Sequence, residues 1–439
     1  MRRAGALAVV ALFAGVLAGM GQLGSTGVGA AEVSASGAWS WGNGGSGQLG
    51  DGTTATYPNP TQSGGDADWR SIAAGDLLSL GQKQDGTLWA WGVNNPSDGD
   101  SEVGGTPEAV PGQVGTDADW KAFTTGAFHG LAVKVDGTLW TWGGNGAGQL
   151  GDGTTTDRAL PTQVGSGTDW KAVAGGYLYS LALKTDGTLW AWGENEVGQL
   201  GDGTTTDRLR PKKIGTASNW ASISSTGDHS LALRTDGTLW AWGQNGGGQL
   251  GDGTRTSRSS PKRVGTTTDW KAAEAGDGYS LALKADGTLW SVGTGSELVL
   301  TQLGTAENWA SIYAGAHWFG LKTDGTLWAW GSNRQGQLGD GSIGEGTFAD
   351  DDPVQVGVAT DWVSAAAGSD PNSGYEHSLG IRKNGTLWGW GNNEYGQLGN
   401  GKAVQRATPG QVEGGASWAT VSTGGAHSLG VKVDGTLWS

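Results

Sequence analysis

Five histidines are the side chains of this chain best suited to metal binding or acid–base chemistry, and all five occupy one place in a repeated pattern. They are His129, His229, His317, His377 and His427, while Leu78, Tyr179 and Tyr279 fill the same place in three other repeats. A ring of imidazoles would suit a transition metal. Leu cannot ligate a metal, however, and rigid repeats would hold these side chains apart. We therefore expect a structural hydrogen bond to a loop carbonyl, and no metal site.

An acidic loop late in the chain has oxygen side chains at alternating positions. Asp370, Asn372, Gly374 and Glu376 resemble part of a calcium loop but lack the full twelve-residue pattern. Asp350, Asp351 and Asp352 stand nearby in the sequence. A weak Ca²⁺ site in this region therefore stays open as an alternative.

The sequence contains no nucleophile elbow, phosphate-binding loop or zinc-binding helix motif. The Ser after each His belongs to a strand pattern and not to a triad. Cysteine is absent, which excludes disulfides and thiolate metal sites. We therefore predict a protein that is not an enzyme and needs no cofactor.

Charge and the N-terminus bear on partners and location. The net charge of −15 repels phosphate backbones, so we expect no nucleic acid partner. Arg2 and Arg3, an apolar run from Ala6 to Met20 and small residues up to Ala30 are typical of a secretory signal. A membrane anchor is the alternative, but the apolar run is short for a span. The prediction is a signal peptide over 1–30, a short mature segment over 31–36 and an extracellular, secreted protein without a membrane anchor.

A tryptophan doublet of the form Leu-Trp-Ala-Trp-Gly recurs about every fifty residues and sets the architecture. Its first Trp stands at Trp39, Trp89, Trp140, Trp190, Trp240, Trp290, Trp328, Trp388 and Trp438. Such a period is typical of a repeat fold. The pattern predicts one domain over 37–439, built from eight repeats and a partial ninth.

One repeat shows the elements. Alternation predicts strands at 180–184 and 189–192, joined by Asp186-Gly187 as a two-residue turn with positive φ at both centres. Two further short strands are predicted at 211–214, with Pro211 at its start, and at 220–224. Four short antiparallel strands in series predict an all-β fold, a single β-propeller of seven or eight mostly four-stranded blades.

The repeat resembles that of the regulator of chromosome condensation family. The residues that carry the resemblance are Trp240-Ala-Trp-Gly-Gln-Asn245, Gly248-Gln-Leu-Gly-Asp-Gly253 and Pro261, with Gly227-Asp-His229-Ser-Leu-Ala-Leu233 just before. The resemblance covers about 37–439 and implies a propeller, typically of seven blades. Bacterial relatives include secreted ones such as a β-lactamase inhibitor protein. The doublet occurs nine times but the His-type strand only eight, which leaves seven or eight blades open.

The repeats differ from one another mainly in loops at one end of the strands. Repeat two replaces Gly-Gln-Leu-Gly-Asp-Gly, repeat six deletes it, and repeat seven carries insertions around 343–352 and 369–376. Loops that vary on a rigid scaffold commonly bind partners, although neutral drift is the alternative. The candidate partner-binding residues are Asp98, Asp100, Glu102, Trp318, Glu345, Phe348, Asp350, Asp351, Asp352, Asp370, Tyr375 and His377. Trp318 is interpreted either as an exposed binding anchor or as extra packing beside the deleted loop.

These observations predict a secreted, monomeric, non-catalytic propeller that binds an unknown protein or surface glycan through one loop face. A carbohydrate-binding module, alone or within a larger polysaccharide-acting enzyme, is the alternative. Guanine nucleotide exchange, which the family resemblance would imply, conflicts with the export signal and the acidity.

Overall fold

Strands dominate the described part of the chain, and they form a closed ring. The computed structural model describes residues 36–63, 68–75, 78–92, 108–276, 278–293, 298–344, 352–368, 374–415 and 417–433. Its strands form eight four-stranded antiparallel sheets. The all-β propeller is confirmed, and it has eight blades and not the seven that the family resemblance implies. No helix in these ranges is long and apolar enough to cross a membrane.

Every blade uses its strands in the same spatial order, and the strands are numbered along the chain. The innermost strands, which contact their equivalents in the neighbouring blades, are β3 (Trp69–Ala74), β7 (Trp120–Thr125), β11 (Trp170–Gly175), β15 (Trp220–Thr226), β19 (Trp270–Ala275), β23 (Trp309–Ala314), β27 (Trp362–Ala367) and β31 (Trp418–Thr423). The second strands are β4 (Leu78–Lys83), β8 (His129–Lys134), β12 (Tyr179–Lys184), β16 (His229–Arg234), β20 (Tyr279–Lys284), β24 (His317–Lys322), β28 (His377–Arg382) and β32 (His427–Val433).

The tryptophan doublet lies on the third strand of each blade. These strands are β5 (Leu88–Gly92), β9 (Leu139–Gly143), β13 (Leu189–Gly193), β17 (Leu239–Gly243), β21 (Leu289–Gly293), β25 (Leu327–Gly331), β29 (Leu387–Gly391) and β1 (Ser36–Gly42). The outer edge strands are β6 (Glu108–Gln113), β10 (Arg158–Gln163), β14 (Arg208–Lys213), β18 (Arg258–Arg263), β22 (Thr301–Gln302), β26 (Val354–Gln355), β30 (Arg406–Gln411) and β2 (Tyr57–Gln62). Blades 1 to 7 begin at β3, β7, β11, β15, β19, β23 and β27.

The first two and the last two described strands build blade 8. Its order is β2-β1-β32-β31, and β1 pairs with β32 from Ser36 opposite Val433 to Gly42 opposite His427. The first doublet, at Trp39 and Trp41, therefore completes the last blade. This arrangement uses eight doublets for eight His-type strands; the ninth, at Trp438, lies outside the described residues.

Two local expectations were wrong in detail. In the Asp-Gly hairpin only Gly187 has positive φ, at 75°, because Asp186 accepts hydrogen bonds from the Thr188 backbone N–H and hydroxyl. The turn closes with Gly187 N donating to Lys184 O, which is a type I turn followed by a glycine bulge. Pro211 lies inside β14 and not at its start. It is tolerated there because β14 is an edge strand with a register break.

Blade boundaries are offset by one strand from the repeat used in the sequence analysis. The strand that begins at Trp220 pairs with β16 and is the innermost strand of blade 4.

Connections from first to second and from third to outer strands emerge at one end of the ring, which we call the loop face. The Asp-Gly hairpins and the connections between blades emerge at the other end, the hairpin face. The expected grouping of the variable loops on one face is therefore correct.

The two tryptophans of each doublet have different roles. The second one is fully buried in seven of the blades, as at Trp192, and Val292 replaces it in blade 5. The first one is half-buried, and in blades 1 to 7 its Nε1 donates to a Thr hydroxyl two residues before it, as Trp190 does to Thr188. A Lys or Arg side chain lies over this ring and over the Trp that begins the innermost strand. Lys184, for example, lies 4.7 Å from the ring centroids of Trp170 and Trp190. These cation–π contacts stabilise the hairpin side of each blade.

Candidate functional site

The five histidines link neighbouring blades. Each imidazole Nε2 lies 2.6 to 3.1 Å from a Ser hydroxyl of the following blade. The pairs are His129–Ser180, His229–Ser280, His317–Ser378, His377–Ser428 and His427–Ser79. All five imidazoles are buried, and burial lowers their pKa to about 3 or 4. The structural role is confirmed, but the direct partner is a hydroxyl and not a loop carbonyl.

Each of these Ser hydroxyls donates to the backbone carbonyl of a Gln in the Gly-Gln-Leu-Gly loop of the preceding blade. Ser180 Oγ donates to Gln149 O at 2.8 Å, and the same oxygen accepts Trp192 Nε1 at 2.8 Å. One loop carbonyl of blade 2 therefore binds two side chains of blade 3. The arrangement explains why Gly-Gln-Leu-Gly, Ser and the second Trp recur together.

Two junctions lack this arrangement, and they follow the two blades whose loops lack the Gly-Gln-Leu-Gly sequence. Blade 1 carries the replaced loop, and the next blade has Gly130 in place of Ser. Blade 5 carries the deletion, and the next blade has Trp318 in place of Ser. Within the described residues, Nε1 of Trp142 and of Trp330 finds no hydrogen-bond partner. The loss of this loop sequence therefore accompanies a change in the packing between blades.

Trp318 is buried, with 3% of its surface exposed, so the exposed-anchor interpretation is wrong. Its ring lies over Tyr279 of blade 5, with centroids 3.8 Å apart, and meets Trp330 edge-on at 5.7 Å. It packs at the junction where the Ser–Gln contact is missing. This agrees with the other interpretation, extra packing beside the deleted loop.

His377 is also buried, so its prediction as a partner-contacting residue is wrong. Tyr375 is half-buried on the loop face, and Asp352 is exposed just before the outer strand β26. The remaining candidates lie outside the described residues: Asp98, Asp100, Glu102, Glu345, Phe348, Asp350, Asp351 and Asp370. The proposed Ca²⁺ loop falls partly there too. In the described ranges, no three His, Asp or Glu side chains come together as metal ligands would.

A cleft of about 610 Å³ opens on the loop face between blades 6 and 7. Tyr375 comes from the β27–β28 connection, and Asn392 and Glu394 come from the β29–β30 connection. Gln335 of blade 6 closes one side. Beside the cleft, Tyr395 packs edge-on against Tyr375 with centroids 4.9 Å apart, and its hydroxyl donates to the Tyr375 hydroxyl at 3.2 Å. This hydrogen bond raises the pKa of Tyr395 to about 12.

The floor of the cleft is fixed by hydrogen bonds. Asn392 Oδ1 accepts from Gln397 Nε2 at 2.7 Å and from the Glu394 backbone at 2.9 Å. Asn392 Nδ2 donates to Gly374 O at 3.3 Å, which ties the two connections together. Glu394 is exposed and Gln335 half-buried. The cleft therefore presents an aromatic ring, amides and one carboxylate on a preorganised frame.

Other loop-face features were missed by sequence reasoning. Phe128 and Tyr177 form an edge-on pair across blades 2 and 3, with centroids 5.6 Å apart, and Tyr177 is 47% exposed. Burial, together with the charges of Asp228, Glu196 and Asp207, raises the pKa of Glu194 on the same side. Tyr395 was missed as well. The signal was available, because Tyr395 lies two residues after the loop Asn, where Ala147, Val197 and Gly247 stand in other repeats.

Comparison with known proteins agrees with this architecture. Residues 37–308 match the family model of an RCC1-like domain, and residues 324–371 and 384–431 match the regulator of chromosome condensation (RCC1) repeat. RCC1-like propellers are typically non-catalytic binding or exchange-factor proteins.

Similar curated proteins match over short stretches. The human E3 ubiquitin-protein ligase HERC2 is 32% identical over 122 residues, which cover 27% of this chain and 2% of that protein. The Ultraviolet-B receptor UVR8 of Arabidopsis thaliana is 34% identical over 124 residues, which cover 27% of this chain and 28% of that protein. The matched part thus spans less than a third of either relative.

Solved structures show the same fold over most of the chain. Human WBSCR16 superposes with a TM-score of 0.64 at 19% identity, covering 91% of this chain and 99% of that one. Prp20p from Saccharomyces cerevisiae, whose structure was described with its binding to Gsp1p and histones, gives 0.64 at 21% identity, covering 92% and 93%. At these identities the likeness concerns the fold alone.

Proposed function

Because this chain belongs to the family of RCC1-like repeat propellers, we propose that it is an exported, non-catalytic protein that binds a protein partner through its loop face. The propeller fold itself supports a protein-binding scaffold role. The observation that carries the choice of face is the cleft beside Tyr375 and Tyr395, a concave site of about 610 Å³ on the variable side of the ring.

The cleft suits a protein partner for two physical reasons. Half-buried Tyr side chains offer a large apolar area and lose little conformational entropy on binding, since few torsions become fixed. The hydrogen bonds of Asn392 hold the surrounding loop before any partner arrives, which lowers the entropic cost of association.

The binding test uses the purified mature protein as bait for proteins from the culture medium, with quantification of what is retained. We expect Tyr395→Ala and Glu394→Lys each to reduce retention at least about tenfold, the loss expected when an interface anchor is removed. The matched control is Glu307→Lys, which makes the same change at an exposed residue of the hairpin face. Equal losses in Glu394→Lys and Glu307→Lys would refute the assignment of the face.

A surface glycan is the second candidate, favoured by the combination of Tyr375 with the Asn392 and Gln335 amides around one cleft. Aromatic rings and amides are suited to stacking and hydrogen bonding with a sugar. A glycan array run with wild type and Tyr395→Ala separates the two candidates, because only a glycan site gives array signals that the substitution abolishes.

Export rests on the signal-like sequence before Ala30. N-terminal sequencing of the protein recovered from culture medium tests it, with an expected start at residue 31. Recovery of the intact chain from cells alone would contradict export.

A further inference from the structure

The outer rim between blades 3 and 4 differs in charge from the rest of the ring. In six blades the outer-strand residue opposite the first Trp of the doublet is Gln: Gln62, Gln113, Gln163, Gln302, Gln355 and Gln411. In blades 3 and 4 it is Lys213, opposite Trp190, and Arg263, opposite Trp240. The preceding residues there are Lys212 and Lys262, where the other blades have Thr, Gly or Val.

Between these two strands lies a groove of about 590 Å³. Its lining includes Asn219, Arg234, Trp240, Ser260 and Pro261. We call this site the basic groove, together with the outer-strand cations Lys212, Lys213, Lys262 and Arg263 of the two blades beside it. Lys212, Lys213 and Lys262 are exposed, and no carboxylate in the described residues pairs with them within 4.0 Å.

The cation inside the groove also lacks the partner that most of its equivalents have. In five blades the cation stacked between two tryptophans is paired with the Asp that precedes the innermost strand, as Lys184 is with Asp169 at 2.9 Å. In blade 4 that residue is Asn219. Arg234 keeps its stacking, with Cζ 3.8 Å from the Trp240 centroid, but its buried Nε has no partner among the described residues. Two independent changes thus raise the positive charge of one site.

We propose that the basic groove binds an anionic polysaccharide, a linear polymer with carboxylate or sulfate groups on its sugars. Directly paired residues share one face of a sheet, so Lys212, opposite Ala191, and Arg263, opposite Trp240, lie on the strand faces that border the groove. Lys213 and Lys262 lie on the other faces of the same edge strands and extend the positive charge along the rim, and Arg234 lies where one anion enters the groove. Asn219 and Ser260 supply hydrogen-bonding groups, and Trp240 and Pro261 supply apolar surface for sugar rings. Asp202 also lines the groove, but its carboxylate is fully buried and bound by Arg208 at 2.5 Å, so it does not face the ligand.

The negative net charge of the chain does not prevent an anion from binding at the groove. Net charge is −15, yet charges are screened over about 8 Å at physiological salt, so the local cations decide the potential at the groove.

Protection of edge strands is another possible reason for these cations, since Lys and Pro on edge strands hinder aggregation through strand pairing. Pro111, Pro161 and Pro409 stand on edge strands of other blades without added cations, so protection of edges does not account for the charge on two neighbouring strands.

The inference concerns a surface away from the loop-face cleft and goes beyond the proposed function. Its test is isothermal titration calorimetry of the full mature chain with polygalacturonate and with heparin at low and physiological salt. The groove variant carries Lys212→Thr, Lys213→Gln, Lys262→Thr and Arg263→Gln, which are residues that the chain itself uses at these positions. The matched control carries Arg70→Ala, Lys121→Ala, Lys171→Ala and Lys271→Ala, exposed cations whose place is filled by Ala in blades 4, 6 and 8.

We expect the wild type to bind at least one of the two polymers, with affinity that falls as salt rises. The groove variant should lose at least about tenfold in affinity, while the control with the same net charge stays within about twofold. Failure of the wild type to bind either polymer, or equal losses in the two variants, would overturn the proposal. Binding of poly-L-glutamate as tight as that of the polysaccharides would also overturn it, in favour of an acidic protein partner.

Discussion

His129 donates a hydrogen bond from Nε2 to the Ser180 hydroxyl of the next blade, 2.9 Å away. The direction follows from the rest of the contact. Ser180 uses its single proton in the bond to Gln149 O at 2.8 Å, so the imidazole must supply the other one. His129 is therefore neutral with its proton on Nε2, and its buried Nδ1 has no partner in the described residues.

Removal of the hydroxyl should destabilise the junction between blades 2 and 3. Ser180→Ala leaves the His129 N–H buried without an acceptor, which costs about 1–3 kcal/mol. Chemical denaturation monitored by tryptophan fluorescence measures the change. Ser218→Ala, at an exposed Ser of the following connection, is the control and should leave the unfolding midpoint in place.

The pair should also be energetically coupled. Leu78 occupies the His place in blade 1, and the blade that follows has Gly130 and no hydroxyl. The double variant His129→Leu with Ser180→Ala should therefore lose less stability than the sum of the two single variants. Strict additivity would argue against a direct bond between the two side chains.

Strands and blade composition could be predicted from this sequence because they repeat. Strands expected at 189–192 and 220–224 are observed at Leu189–Gly193 and Trp220–Thr226. What the pattern could not decide was the blade number and the strand that begins each blade. Both depend on the pairing of β1 with β32, a contact between the first and the last described strands that no local spacing encodes.

The functional surface was less accessible to sequence reasoning. The candidate partner-binding residues were chosen mainly from inserted segments, which lie largely outside the described residues. Tyr395, in contrast, lies in a loop of ordinary length. Trp318 stood out as an unusual aromatic, but only its position behind the deleted loop shows that it is buried. Lys213 and Arg263 stand out only when strand pairing identifies their six Gln equivalents.

Trp318 should matter for stability and not for binding. Trp318→Ala removes contacts with Tyr279 and Trp330 and leaves a cavity, so we expect a loss of about 3–5 kcal/mol in the free energy of unfolding. Thermal unfolding measures it. Tyr177→Ala, at an exposed aromatic of the loop face, should have a much smaller effect. An unchanged melting temperature for Trp318→Ala would show that the indole is not packed as described.

Acid should destabilise the ring through its histidines. Burial lowers the pKa of His129 to about 3, below the ordinary value of 6.5. The unfolded chain then binds a proton that the folded protein does not, so stability is present above pH 6.5 and is lost as the pH falls towards 3. Each such His contributes about 1.4 kcal/mol per pH unit within that window.

This dependence can be tested with residues that the chain already uses at the same place. His129→Leu should make the loss of stability between pH 6.5 and 4 shallower by about one proton. Tyr179→His should make it steeper by the same amount, because Ser230 and Gln199 are already placed for the same contact. Parallel pH profiles for the three proteins would contradict the assignment.

Glu274 should act in the opposite direction, with stability that falls as the pH rises from 4.5 to 8. This Glu lies in the innermost strand of blade 5, and burial raises its pKa to about 8, partly offset by a hydrogen bond from Ser224 Oγ at 3.0 Å. Its folded-state pKa lies above the unfolded value of 4.5. The contribution of this protonated carboxyl to the free energy of unfolding is therefore fully present below pH 4.5. It is lost as the pH rises through 8, at about 1.4 kcal/mol per pH unit.

Glu274→Gln should remove this loss, because an amide still accepts the Ser224 hydroxyl and carries no charge at any pH. We expect the variant to match wild type near pH 4 and to exceed its free energy of unfolding at pH 8 by on the order of a few kcal/mol. Glu307→Gln, at an exposed position, should follow wild type throughout. Urea unfolding across this range measures the difference, and a Glu274→Gln profile that declines as steeply as wild type would mean that the carboxyl is ionised in the folded protein at neutral pH.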